Sequence, residues 1–316
     1  MNVTKMVIAA CAAFLMLVGA NTWAGDLLKP YVLASSGPGD VAKVTDEVKA
    51  KLTGAGFEVV GSYSPFEGSN ILVVTNDELK KAAASSKRGG YLAGMRVTVT
   101  KQYGNGKGAA FNPADAQIQV AFTNPVYWAA AYRVSADVSA VKSKLAATLG
   151  AKEEYGSFYG FKDGISADAL KGYHYTVMME YFDDPSDLGE HDSHEEAVKA
   201  VEAGLAAHAG GTSQVYRIDI PGTDETVFGV AMTNGCSGDE TTMKAVDMGP
   251  VHNTGYAPYE ILVTGKNVEA LYARFRIAIA YLGLPMMANP TGGTFMNIMC
   301  APGAIEGAML SVTGQD

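Results

Sequence analysis

The chain has 316 residues, of which 48% are apolar and 18% charged, and its formal charge is −9. This composition excludes a collagen-like repeat and a long disordered tail. The excess of acids also argues against nucleic-acid binding, because a surface that follows phosphates needs a surplus of lysine and arginine. One or two globular domains are therefore expected.

The first 24 residues are predicted to form a secretory signal peptide. Lys5 precedes an uncharged apolar run, Met6 to Ala20, which is followed by Asn21-Thr22-Trp23-Ala24, with a small residue at the expected cleavage position. This order predicts cleavage near Ala24 and a periplasmic or secreted protein. The run is too short to span a bilayer comfortably, and no later segment is expected to span one.

Hydrophobic periodicity predicts four amphipathic helices, separated by strands in which apolar and polar residues alternate. The third helix opens with a capping box formed by Ser193 and Glu196. In the strand at 95–100, Arg96 is expected to face water, because it alternates with apolar neighbours. In chain order the prediction is a strand at 31–34, a helix from Asp40, strands at 57–63 and 71–75, a hairpin of 95–100 and 117–123 with a glycine-rich tip at 104–108, a helix from Asp137, a strand at 173–181, a helix from Ser193, strands at 214–220, 227–232 and 259–263, and a helix from near Asn267.

The order of these elements repeats along the chain, which predicts an internal duplication. The fold class expected is α+β, with two tandem β-α-β4-α domains whose antiparallel-rich sheets carry helices on one face. A short string supports the repeat, since Val73-Val74-Thr75-Asn76 recurs as Ala231-Met232-Thr233-Asn234. The predicted boundaries are a signal peptide at 1–24, a first domain at 25–150, a linker at 151–171, a second domain at 172–284 and a C-terminal extension at 285–316.

Three strings in the first half resemble a known bacterial family. They are Gly54-Ala55-Gly56-Phe57 at a helix end, Thr75-Asn76 at a strand end, and the run from Val120 to Ala130 that contains Asn124-Pro125-Val126-Tyr127-Trp128. Together they resemble the domain-of-unknown-function 302 family, which implies the β-α-β4-α fold and no particular activity. The chain departs from the family by having Thr75-Asn76-Asp77 where Gly-Asn-Pro is common, and the second half lacks the Asn-Pro pair.

The segment 183–196 holds the strongest polar cluster and is expected to be a loop. It contains seven acids, and His191 and His194 with Asp192 or Glu195 could supply imidazole and carboxylate ligands to zinc or copper. The alternative is a solvated loop whose acids favour the N-terminus of the following helix. Loops that follow strands are common places for a grafted site.

Cys236 and Cys300 are the cysteines that remain after the predicted cleavage. An oxidising compartment permits a disulfide between them, and ligation of a soft metal is the alternative. A methionine-rich stretch near the C-terminus could add thioether ligands for Cu(I), or its side chains could fill a core as part of a strand. Its members are Met286, Met287, Met296, Met299 and Met309.

Nucleophilic catalysis finds little support, because the sequence contains no Gly-x-Ser-x-Gly elbow and no phosphate-binding loop. His174 could act as a general base but fits a half-exposed strand residue better. His208 fits a helix end and His252 a loop. Tyr127 and Trp128 could stack on a ligand or anchor their helix to the sheet.

The sequence therefore favours an exported, non-enzymatic binding or accessory protein. Its partner would be a small molecule or another protein, held between the two domains or at the segment 183–196, and homo-oligomerisation is left open. The alternative is a copper- or zinc-handling protein that uses His191 and His194 or the Met/Cys-rich C-terminus.

Overall fold

The computed structural model of the protein describes residues 27–103, 112–287 and 292–315. The predicted signal peptide and the glycine-rich hairpin tip lie outside the described residues. Within the described part, the chain folds into two antiparallel sheets accompanied by helices, which confirms the predicted α+β class.

The first half of the chain builds a six-stranded antiparallel sheet in the order β2-β3-β4-β5-β1-β6. The last strand extends this sheet past residue 150, into the stretch predicted as a linker. The strands are β1 (Tyr31–Gly37), β2 (Glu58–Tyr63), β3 (Ser69–Thr75), β4 (Met95–Lys101), β5 (Ile118–Thr123) and β6 (Glu153–Tyr155).

The second half builds a five-stranded antiparallel sheet in the order β7-β11-β10-β9-β8. The strand predicted at 173–181 is wrong, and the first strand of this sheet lies instead inside the acidic segment predicted as a loop. Tyr175 packs on Phe295 near the C-terminus rather than in a sheet, while Val177 and Met178 are 78% and 96% exposed. The strands are β7 (Ser186–Glu190), β8 (Thr212–Asp219), β9 (Glu225–Met232), β10 (Tyr259–Thr264) and β11 (Asn267–Ala270).

Four of the nine helices in the described residues begin at a side chain that caps the first turn. The Asp40 carboxylate accepts a hydrogen bond from the Lys43 N–H, and the Ser193 hydroxyl accepts one from the Glu196 N–H, so both predicted starts are confirmed. The helices are α1 (Val41–Gly54), α2 (Asp77–Ala83), α3 (Pro125–Ala131), α4 (Ser139–Leu149), α5 (Ala167–Lys171), α6 (His194–Ala206), α7 (Asp239–Val246), α8 (Ala273–Ala280) and α9 (Ala301–Thr313). The four capped helices are α1, α2, α5 and α6.

Two predictions near the C-terminus are wrong. The helix expected from Asn267 begins at Ala273, because 267–270 pair with β10 and β7 as strand β11. The strand expected around Phe295 is a single 3₁₀ turn, Phe295–Ile298, followed by α9, which packs against α6 and α8. By length and composition alone, Phe295–Thr313 is the one stretch of the described chain apolar enough to cross a membrane, and 44% of it is buried.

The two sheets share their connectivity. In each, the first strand is followed by a helix and then by four strands, and the first strand lies beside the fifth. The first strand of each sheet has a register shift against the fifth. In the first sheet the shift lies between Leu33 and Ser35 of β1, and in the second it lies opposite Val268 and Glu269 of β11. Each second strand has another, at Val59/Gly61 and at Gln214/Tyr216. The common origin of the halves stays a prediction, which these correspondences support.

The halves pack through the polar face of the first sheet. Arg96, expected to face water, is completely buried, and the polar residues Thr98, Thr100 and Gln119 of strands β4 and β5 are nearly so. The Thr100 hydroxyl donates to the hydroxyl of Thr254 in the second half at 2.8 Å. The alternation of apolar and polar residues identified the two faces of the first sheet correctly, but the second half of the chain covers the face that was assigned to solvent.

Candidate functional site

A pocket of about 320 Å³ lies where the two halves meet, and we call it the seam pocket. The first half contributes the segment between α2 and β4, and the second half contributes β7, β10, β11 and the residue before β7. Its lining residues are Lys87, Arg88, Pro185, Asp187, Thr264, Asn267, Val268 and Glu269.

Arg88 is held firmly at the wall of this pocket. Its backbone is left-handed, with φ 60°, a conformation that is uncommon outside glycine. The Arg88 N–H donates to Glu225 Oε1 at 2.7 Å, and the Gly90 N–H donates to Glu225 Oε2 at 2.9 Å. The Arg88 Nε lies 2.8 Å from Glu269 Oε1. Two buried carboxylates of the second half therefore fix this arginine of the first.

The remaining cationic N–H groups of the pocket have no hydrogen-bond partner in the part of the chain that the structure describes. Within the described residues, no acceptor bonds to the Nη groups of Arg88, and Lys87 forms no ion pair, although its positive charge opposes the rise of the Glu225 pKa. Burial raises the pKa of Glu225 and of Glu269, although the contacts with Arg88 oppose the rise. The pocket thus offers free guanidinium and ammonium N–H groups on a rigid support.

Lys87 and Arg88 were not predictable as site residues from the sequence. They lie between α2 and β4, where hydrophobic periodicity carries no information about which side chains converge. One local signal was present, because the charged pair is followed by Gly89 and Gly90, and glycine permits close approach of other groups. A Cβ on Gly90 would lie 2.7 Å from the Leu262 Cδ1 atom.

A larger groove of about 720 Å³ lies entirely in the first half, between α1 and strands β2 and β3. Its walls carry mixed charges, including Asp46, Lys49 and Lys101. Thr45 also lines the groove, and its hydroxyl is buried without a hydrogen-bond partner among the described residues. The groove does not join the two halves.

The predicted metal ligands of the segment 183–196 lie at the start of α6 and have other contacts. The His194 ring nitrogen Nε2 lies 3.3 Å from the Thr226 hydroxyl, and Glu195 forms an ion pair with Lys199 at 2.7 Å. Asp192 is exposed, and His191 Nε2 is buried without a partner. In the part of the chain that the structure describes, no three His, Cys, Asp or Glu side chains converge in a metal-binding arrangement. Zinc or copper binding here stays a prediction.

Cys236 and Cys300 are joined by a disulfide that links the turn after β9 to the start of α9. Their thiols are therefore not available as ligands for a soft metal. Met309 is buried in the core, whereas Met287, Met296 and Met299 are exposed. Met286 is partly buried against the core, and its carbonyl accepts a hydrogen bond from the Met296 N–H at 3.1 Å.

The aromatic and histidine candidates have structural roles. Trp128 and Tyr127 are fully buried, and they donate hydrogen bonds to the carbonyls of Pro30 at 2.9 Å and Ile279 at 2.7 Å. The second of these bonds joins the two halves. His174 lies in the irregular segment, where its Nδ1 is 2.7 Å from the Thr176 carbonyl, and His208 follows α6 as predicted.

Two buried aspartates at the ends of α7 also join the halves. Asp239 accepts hydrogen bonds from the Tyr63 hydroxyl at 3.2 Å and the Met232 N–H at 3.1 Å. Asp247 accepts them from the Tyr103 hydroxyl at 3.2 Å and the Asn253 N–H at 2.7 Å. Each aspartate thus receives a bond from a tyrosine of the first half, so α7 is attached to that half at both ends.

His252, predicted as a loop residue, is buried beside Asp247. Its ring stacks on Tyr103, with ring centroids 3.8 Å apart. Burial raises the pKa of Asp239 to about 7 and that of Asp247 to about 8, and it lowers the pKa of His252 to about 4. These groups are therefore neutral or partly neutral in a range where exposed ones would be charged.

We expect the free energy of unfolding to fall between pH 6.5 and 8.5. In this range the folded protein retains protons on Asp239 and Asp247 that the unfolded chain, with ordinary aspartate pKa values, has lost. Their stabilising effect is complete below about pH 4 and disappears as pH rises through about 7 and 8, by about 1.4 kcal/mol per pH unit for each retained proton. His252 acts in the opposite direction, but only between about pH 6.5 and 4.

This expectation is checked by urea unfolding between pH 6.5 and 8.5. The wild type is compared with the double variant Asp239→Asn, Asp247→Asn. The double variant should show a much flatter profile, and a control Asp46→Asn variant, altered at an exposed residue, should follow the wild type. A double variant with the full wild-type slope would contradict the assignment.

No protein-family model matches this chain, and no curated protein or solved structure compared with it is significantly similar. The resemblance to the domain-of-unknown-function 302 family therefore stays a prediction, resting on the strings in the first half.

Proposed function

We propose that this protein is an exported, non-enzymatic binding protein whose two halves hold a small molecule in the seam pocket. The observation that carries the proposal is the pocket itself, which both halves build and in which Lys87 and the Nη groups of Arg88 have no partner among the described residues. Its volume lies near the lower end of the range of ligand sites, which occur preferentially at domain interfaces.

Export is supported by the order of charged, apolar and small residues at the N-terminus and by the disulfide, which an oxidising compartment maintains. A binding role is favoured over catalysis because, among the described lining residues, neither Thr264 nor Lys87 is hydrogen-bonded to a base that could activate it as a nucleophile. The pocket also includes Pro185 and Asp187, so it lies at both places where the sequence analysis expected a ligand.

A blocking substitution tests the proposal. We expect at least one class in a panel of free amino acids, carboxylic acids, sugars and phosphate esters, each at millimolar concentration, to bind the wild type in saturation-transfer NMR. Thr264→Trp should abolish that binding by filling the pocket. Thr241→Trp, on the exposed face of α7, is the control and should bind normally. Absence of binding in every class, or equal binding to Thr264→Trp, would refute the proposed function.

A further inference from the structure

The seam pocket carries charges of both signs. Lys87 and Arg88 come from the first half, and Asp187 and Glu269 come from the second, where they are register partners on strands β7 and β11. The formal charges of the lining therefore cancel. A ligand with a single charge would upset this balance, whereas a ligand that carries one charge of each sign would preserve it.

The cationic side of the pocket suits a carboxylate. The Arg88 Nε–H donates to Glu269, so both Nη groups of the guanidinium can donate to other acceptors. Two parallel N–H groups on a planar guanidinium match the two oxygens of a carboxylate. Lys87 adds a second positive charge, which interacts with Glu225 but forms no direct ion pair with a described acid. Glu225 holds the Arg88 backbone and Glu269 holds its Nε, so little side-chain freedom is lost when the guanidinium binds a ligand.

The acidic side of the pocket suits an ammonium group. Glu269 is already engaged by Arg88 and by the Tyr91 hydroxyl, so its charge is compensated. Asp187 is exposed, and one of its oxygens accepts only the Gly189 N–H at 3.0 Å. Among the described residues no cation pairs with it. Asp187 is thus the free anion of the pocket, as Lys87 is its free cation.

We propose that the ligand of the seam pocket is a small amino-carboxylate zwitterion, such as a free amino acid. Its carboxylate lies against Arg88 and Lys87, and its ammonium group lies against Asp187. Pro185 supplies apolar surface for the ligand's carbon skeleton. This inference rests on the proposed function, because it specifies what the same pocket binds.

Calorimetric titration of the full chain with free amino acids tests the inference. The tightest-binding amino acid is compared with its N-acetyl derivative, which lacks the positive charge, and its methyl ester, which lacks the negative charge. We expect each derivative to bind at least about tenfold more weakly, because each leaves one charged group of the pocket unpaired.

Charge-removing variants assign the two ends of the ligand. Lys87→Gln should weaken binding of the amino acid about tenfold and have little effect on its methyl ester. Asp187→Asn retains an acceptor for the Gly189 N–H and should weaken the amino acid while leaving its N-acetyl derivative unchanged. Lys81→Gln and Asp192→Asn remove the same charges at exposed positions outside the pocket and should bind like the wild type.

The outcomes separate this inference from the proposed function. Binding of a sugar, a phosphate ester or a simple carboxylic acid that Thr264→Trp abolishes, without binding of amino acids, would overturn the zwitterion and leave the binding function standing. Equal affinity for the amino acid and its N-acetyl derivative would likewise overturn it. If no class of ligand binds, both the zwitterion inference and the proposed binding function are refuted.

Discussion

Replacing Glu260 with glutamine should lower the free energy of unfolding by about 3–5 kcal/mol, because the change leaves two buried arginines without a counter-charge. Glu260 contacts the Arg96 Nη2 group, and its Oε2 lies 3.1 Å from the Arg276 Nε. The side-chain exposures of Arg96, Glu260 and Arg276 are 0%, 1% and 0%. Trp128 and Tyr256 lie near the guanidinium of Arg276, with centroids at 4.9 and 5.6 Å, but aromatic rings offset only part of a lost ion pair.

Urea unfolding at one pH measures this effect. The matched control is Glu58→Gln, which removes the same charge from an exposed ion pair with Lys80 and should cost at most about 1 kcal/mol. If Glu260→Gln alone does not fold, the double variant Arg96→Gln, Glu260→Gln removes one cation with the anion and should recover part of the loss. A single variant as stable as the control would show that the cluster contributes little.

Removing the disulfide should cost about 4 kcal/mol, the chain-entropy value for closing a loop of this length. Cys236 and Cys300 are 64 residues apart in the chain, and their bond connects α9 to the turn after β9. The measurement is urea unfolding of Cys236→Ala, Cys300→Ala without reductant, compared with the wild type with and without dithiothreitol. The reduced wild type should match the variant. Identical unfolding of the reduced and oxidised wild type would contradict the predicted contribution.

Local chemistry made most secondary structure predictable. Asp40 and Ser193 begin helices because a short polar side chain can satisfy the free N–H groups of the first turn, an interaction within four residues. Strands β3 and β10 were recognisable from short apolar runs. In such cases the deciding interaction lies within the segment itself.

The wrong strand predictions lie where contacts between residues distant in the sequence decide the secondary structure. Strand β7 has the sequence Ser-Asp-Leu-Gly-Glu, with only Leu188 as a large apolar residue, and it forms because β11 pairs with it. The segment 173–181 has a better strand pattern, but no described strand pairs with it. Pattern alone does not show whether a partner strand is available.

The candidate site was predictable only in its general position. The sequence predicted a ligand between the halves or at the segment 183–196, and Asp187, which lines the seam pocket, lies in that segment. Lys87 and Arg88 reach that region through the packing of the halves, and the left-handed backbone at Arg88 has no signature in the sequence. The burial of Arg96 could not be predicted either, because its partner Glu260 is 164 residues away in the sequence.

Arg96 and Glu260 occupy matching places in their sheets. Arg96 is the second residue of β4, opposite Val73 of the third strand, and Glu260 is the second residue of β10, opposite Gly229 of the third strand of its own sheet. Two copies of the first half, associated through this face in the same way, would bury arginine against arginine without an acid, whereas Glu260 is already paired with Arg276 of its own half. Burying two unpaired like charges is prohibitively costly, so Arg96 makes the first half selective for the second over a copy of itself.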